Sequence, residues 1–154
     1  MSLSHVNDKG EANMVDVSSK TESVRIATAS GKVIMKPEVL SAIANGQTPK
    51  GDVIATARIA GIMGAKKTSE LIPLCHPIAI HQVEINLTIE KDGVAISAMV
   101  KTSDRTGVEM EALTAVSVAG LTLIDMIKAM DPHAAISNIQ VDTKSGGKTG
   151  DWQR

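Results

Sequence analysis

The sequence predicts a single α+β domain, and three observations carry that reading. The first is a hairpin in "VEINLTIEKDGVAISAMV". Val83, Ile85, Leu87 and Ile89 fall on one face, the chain turns at Asp92-Gly93, and Val94, Ile96, Ala98 and Val100 continue the alternation. The second is one long apolar helix in "TGVEMEALTAVSVAGLTLIDMIKAMDP". The third is the order of elements, β-β-α-α-β-β-α-β. From the second helix onward it runs α-β-β-α-β, which suits helices packed on a largely antiparallel, ferredoxin-like sheet.

Taken in order, residues 1–20 read as irregular, with Asn, Asp, Gly and Ser scattered through them. "SVRIATASGKVIM" alternates at Val24, Ile26 and Thr28, and Ser30-Gly31 predicts a turn before Val33 and Met35, hence a short hairpin. "KPEVLSAIANG" places Pro37 near a helix start and Gly46 at a C-cap position. A second helix is expected from Thr48 as N-cap and Pro49 as first residue to about Lys67. In the longest helix Thr106 and Glu109 have capping-box spacing, and Pro132 sets the end. "AISNIQVDT" is the last strand, and the glycine-rich tail 144–154 is expected to be flexible.

Composition narrows the function. The 154 residues suit one domain with a real core. A net charge of -1 gives no basic excess for nucleic acid, and with no Phe, no Tyr and only Trp152 the chain lacks base-stacking platforms. The N-terminus has no apolar signal core, and no apolar run reads as a membrane span. The single cysteine excludes an internal disulfide framework and fits a reducing, cytoplasmic setting.

The long helix has more apolar surface than one sheet can cover. Glu111, Thr114, Ser117, Thr122, Asp125 and Lys128 form a polar stripe, interrupted by Val118 and Leu121. Cover by a second subunit is expected, so an oligomer. Asp125 and Lys128 are neighbours on that helix. On an exposed surface the pair is worth ~0–1 kcal/mol. In apolar surroundings it becomes a candidate acid–base pair.

"GGKTG" at Gly146–Gly150 invites a P-loop reading. The required earlier glycine is Asp142, and no helix can follow, so the reading fails; a glycine loop with Lys144 and Lys148 remains, able to close over an anion. In "LIPLCHPI", Cys75 and His76 are adjacent, and adjacent side chains of an extended segment point apart. That disfavours both a shared metal and a thiolate–imidazole pair, and no metal site is expected. Pro73 and Pro77 suggest a rigid loop presenting His76 or a backbone amide. Cys75 reads as a small apolar wall.

Together, "GEANMVDVSSK", "KGDVIATARIAGIMGAKKTSELIPLCHPI", "VEINL", "TGVEMEALTAVSVAGLTLIDMIKAM" and "KSGGKTG" resemble the cyclic pyranopterin monophosphate synthase family of molybdenum cofactor biosynthesis, in the family's order and over nearly the whole chain. The resemblance implies a lyase that converts (8S)-3',8-cyclo-7,8-dihydroguanosine 5'-triphosphate to cyclic pyranopterin monophosphate and releases diphosphate. It implies no cofactor, and a homohexamer built as a trimer of dimers with the site at a dimer interface. It implies substrate contacts from Leu74, Cys75, His76, Met110 and Glu111, with Arg25 and Lys144 as basic pocket residues. Asp125 is the implied catalytic residue, with Lys128 and Lys50 as acid–base or electrostatic lysines. A non-catalytic nucleotide-binding module and a purely structural oligomer are the rival readings.

Overall fold

The computed structural model describes residues 5–148 and 150–154. Strand β1 spans Ser23–Ile34, helix α1 Pro37–Ala44, α2 Val53–Lys66 and α3 Thr68–Leu71. Strands β2 (Ile80–Ile89) and β3 (Gly93–Asp104) follow, then helix α4 (Glu109–Ile127), β4 (Ala135–Ser145) and β5 (Trp152–Gln153). The strands form one antiparallel sheet in the order β2-β3-β1-β4-β5. Helix α4 lies over β1, β3 and β4 and packs along α2, which covers β2. The core is aliphatic, with Ile96, Leu123, Ile127, Val33 and Val100 fully buried between these layers.

The β2–β3 hairpin follows its alternation. Val83 pairs with Val100, Ile85 with Ala98, Leu87 with Ile96 and Ile89 with Val94. Glu84, Asn86 and Thr88 face outward and are exposed. The other face of the sheet is polar around β1 and β4. There the Thr28 and Thr143 hydroxyls lie 2.7 Å apart, and the Ser30 hydroxyl donates to Asp142 at 2.9 Å.

Four expectations are corrected. The predicted hairpin at 24–35 is one continuous strand, and Ser30-Gly31 is no turn. Gly31 answers to packing instead: a β-carbon there would lie 2.7 Å from Val116 Cγ1 of α4, so the missing side chain lets the helix approach the sheet. Helix α2 starts later than expected, with Asp52 as its cap, and the Asp52 carboxylate accepts from the Ala55 N–H at 2.9 Å. The Thr48 hydroxyl instead closes the preceding turn by donating to the Gly51 carbonyl. Helix α4 has no capping box: Val108 precedes it without a side-chain cap, and the Glu109 carboxylate pairs with Lys144 at 3.2 Å. It ends at Ile127, several residues before Pro132. Finally, α4 is long and apolar enough to cross a membrane by length and composition alone, contrary to the sequence reading; 56% of that stretch is buried within the fold.

Helix α1 ends one residue earlier than the expected cap at Gly46: Asn45 is the cap, and Gly46 follows it at φ +65°. At the far end of the chain, Lys144 and Ser145 belong to β4, and Trp152–Gln153 folds back to pair with Thr143 and Lys144.

Candidate active site

The loop from Ile72 to Ala79 joins α3 to β2 and is held at both ends. The Cys75 N–H donates to the Ile72 carbonyl at 3.1 Å, and the Thr102 hydroxyl donates to the Ala79 carbonyl at 2.6 Å. Beside it, fully buried Val108 anchors the first turn of α4. A cavity of about 380 Å³ opens between loop and helix, within the size range of ligand pockets. Leu74, Cys75, His76, Met110 and Glu111 all line it, so the five predicted substrate contacts share one space.

Glu111 is 4% exposed. Burial pushes its carboxyl up to about 7; a hydrogen bond to its own backbone N–H opposes the shift and the Glu109 charge adds to it. The Cys75 thiol is pushed up by burial and by the Glu111 charge. A raised thiol pKa means little thiolate at neutral pH, which suits a pocket wall and not a nucleophile. The His76 ring Nε2 lies 2.7 Å from the Val15 carbonyl oxygen, which can only accept, so Nε2 carries the proton in that bond.

Arg25 and Lys144 stand next to this cavity, on β1 and β4, and share a smaller recess with Glu109. The Arg25 Nε donates to the Asp104 carbonyl at 2.9 Å. A β-carbon on Gly147 would lie 2.2 Å from the Arg25 guanidinium, so the glycine loop lies directly against Arg25.

Lys50, Asp125 and Lys128 form a separate cluster. The Asp125 carboxylate accepts from Lys50 Nζ and pairs with Lys128 Nζ, both at 2.8 Å, and Lys50 Nζ also donates to the Asp125 carbonyl at 2.9 Å. These two cations hold the Asp125 carboxyl down to about 2, the Lys128 contact contributing most. The three side chains are 45–60% exposed, so this chain does not supply the apolar enclosure expected for Asp125 and Lys128.

The two groups occupy opposite ends of α4. Asp125 lies fourteen residues beyond Glu111, about 21 Å along the helix axis. One chain therefore does not bring the cavity and the lysine–aspartate cluster to a common ligand.

Sequence reasoning missed part of the cavity wall. Val15, Val17 and Lys20 also line it, and so does Glu109, read earlier only as a cap. The signal was the two-residue period of "VDV", which turns Val15 and Val17 to one side of an extended segment. Among the described residues, no group of three or more His, Cys, Asp or Glu side chains is placed to hold a metal ion.

Fold and site together define a small α+β protein with a ligand-sized cavity, one carboxyl near neutrality and a separate lysine-bound carboxylate. The MoaC family matches residues 14–147, and the chain belongs to it. Similar proteins include a cyclic pyranopterin monophosphate synthase of Streptomyces griseus subsp. griseus, 58% identical over 99% of this chain and 86% of its own length. That of Streptomyces avermitilis is 57% identical over 99% of this chain and 89% of its own length. A Mycobacterium bovis protein named cyclic pyranopterin monophosphate synthase 2 is 53% identical over 99% and 91%.

Proposed function

We propose that the protein is a cyclic pyranopterin monophosphate synthase of molybdenum cofactor biosynthesis, a phosphorus–oxygen lyase acting on (8S)-3',8-cyclo-7,8-dihydroguanosine 5'-triphosphate in the cytoplasm. The observation that carries this reading is the Lys50–Asp125–Lys128 cluster, in a chain 58% identical to a protein of that name.

The chemistry asks for what these residues offer. A substrate hydroxyl attacks the α-phosphorus, the cyclic phosphate closes, and diphosphate leaves. The hydroxyl proton must be taken up, and the negative charge growing on the leaving oxygens must be met by fixed cations. Lys50 and Lys128 supply ammonium groups held in place by one carboxylate. Arg25, Lys144 and His76 supply further positive or hydrogen-bonding groups for the triphosphate. Glu111 faces the cavity as an acceptor for the N–H edge of a guanine-derived base, and opening and rebuilding of that ring require the remaining proton transfers.

The separation of about 21 Å along α4 favours a site completed by a second subunit, whose lysine–aspartate end would face this subunit's cavity. Exposed apolar side chains on the two packed helices, Ile59 and Met63 on α2 and Leu121 on α4, support burial against another copy. A homohexamer made of three dimers agrees with this. The β–α–β–β–α–β run with β1 between β3 and β4 supports a ferredoxin-like description, with β5 added at the edge.

Incubation with the purified cyclic intermediate, following diphosphate and the cyclic pterin product, tests the proposal. Asp125→Ala and Lys128→Ala should fold and assemble while turnover falls by ~10²–10⁴ or more. Full activity in either variant would refute its role. Ligand binding without diphosphate release would favour a non-catalytic nucleotide-binding module.

A further inference from the structure

Residues 5–20 carry no helix and none of the buried core, yet they are ordered around specific contacts. Asn7 organises a tight loop: its side-chain oxygen accepts from the N–H groups of Lys9 and Glu11, each at 3.0 Å, and Val6 bridges to Ala12. The chain then passes along the cavity wall. Val15 and Val17 are half-buried and face the pocket, whereas Met14, Asp16 and Ser18 are exposed. Lys20 closes the crossing on the same side. Just before β1 begins, Glu22 lies 3.5 Å from Arg105.

The tie between this segment and the loop is the bond from His76 Nε2 to the Val15 carbonyl. A backbone carbonyl accepts and never donates, so the contact fixes the proton on Nε2 and leaves Nδ1 as the ring's remaining polar atom. We infer that residues 5–20 form the outer wall of the binding pocket and that the Val15 carbonyl is a positioning group for His76. The inference rests on the pocket being the substrate site proposed above. With the strap in place the cavity has the volume of a ligand pocket; without it Leu74, Cys75 and His76 would form one side of an open groove.

Hydrogen exchange on the intact protein tests the clasp. His76→Ala removes the donor, and amides of residues 14–18 should exchange about 10-fold faster or more. His76→Gln keeps a side-chain N–H donor and should restore most of the protection. Unchanged exchange in His76→Ala would overturn the clasp, as would equal loss in both variants.

Deleting residues 1–16 tests the wall. Because 5–16 lie outside the core, the shortened chain should melt within a few degrees of the full one. Its KM for the cyclic GTP-derived substrate should rise about 10-fold or more while kcat changes much less. Unchanged KM, or equal losses in kcat and kcat/KM, would overturn the positioning role. Should the intact protein release no diphosphate, the functional reading fails by itself. The dissociation constant for GTP, compared between full and shortened chains, then decides the wall: weaker binding to the shortened chain supports it, and equal binding overturns it.

Discussion

Glu111 and Asp125 sit on the same helix and are driven in opposite directions. Burial raises Glu111 to about 7, whereas two ammonium groups hold Asp125 near 2. Such a split separates a group that can carry a proton at neutral pH from one that stays charged. The split has a measurable consequence for stability. In the unfolded chain Glu111 titrates at its ordinary 4.5, so folding favours its protonated form. That contribution is complete below pH 4.5 and is lost as pH rises through about 7. Glu111→Gln cannot ionise. Its melting temperature should match that of the unmodified chain near pH 4.5 and exceed it by a few degrees at about pH 8. A constant offset across that range would show that Glu111 is not the titrating group. If Glu111 has the base-accepting role proposed above, activity of the same variant should fall, since Gln puts an amide N–H where the base edge would need an acceptor.

At the scale of elements, packing overrides local signals. Gly61 and Gly64 lie one turn apart on α2 and let it press against α4. A β-carbon at Gly61 would stand 2.5 Å from Ile85 Cδ1 and 2.9 Å from the Ala115 carbonyl. Alanine is favoured over glycine in a helix by about 1 kcal/mol. Here the crowding is partly against backbone, which cannot turn aside, and overpacking typically costs ~1–3 kcal/mol. Gly61→Ala is therefore expected to lower the melting temperature despite the better helix former; a rise would mean that the two helices separate freely. The same competition explains what could be read in advance. The β2–β3 hairpin was legible because one face is buried and a period of two cannot slip without exposing it. The strand β1 was not, because Ser30-Gly31 carries the composition of a turn while Val116, more than eighty residues away, dictates the glycine. The segment around Val15 looked irregular because it is extended chain held by one imidazole and not by a ladder. The prolines around Cys75-His76 marked the cavity loop in the sequence, and the resemblance added Leu74, Met110 and Glu111; their convergence with Val17 and Lys20 came only from the coordinates.

For the whole molecule the central fact is the distance between the two ends of α4. If each site draws its cavity from one subunit and its lysine–aspartate cluster from the next, two inactive proteins can repair one another. His76→Ala and Lys128→Ala chains, refolded together, should regain activity approaching about a quarter of native sites, since a mixed two-fold dimer holds one intact site of two. No recovery in a mixture shown to contain hybrids would place each site within one chain. The carboxyl-terminal hairpin offers a means to watch that site. The chain has one aromatic side chain, Trp152, carried on β5 with the Arg154 guanidinium 5.5 Å from its ring centre. Its strand continues from the glycine loop that rests on Arg25. The indole is thus a built-in optical probe with no background from other tryptophans or tyrosines, and under the proposed function its emission should follow any rearrangement of that loop as a phosphate chain enters or diphosphate departs, in unlabelled protein and in real time.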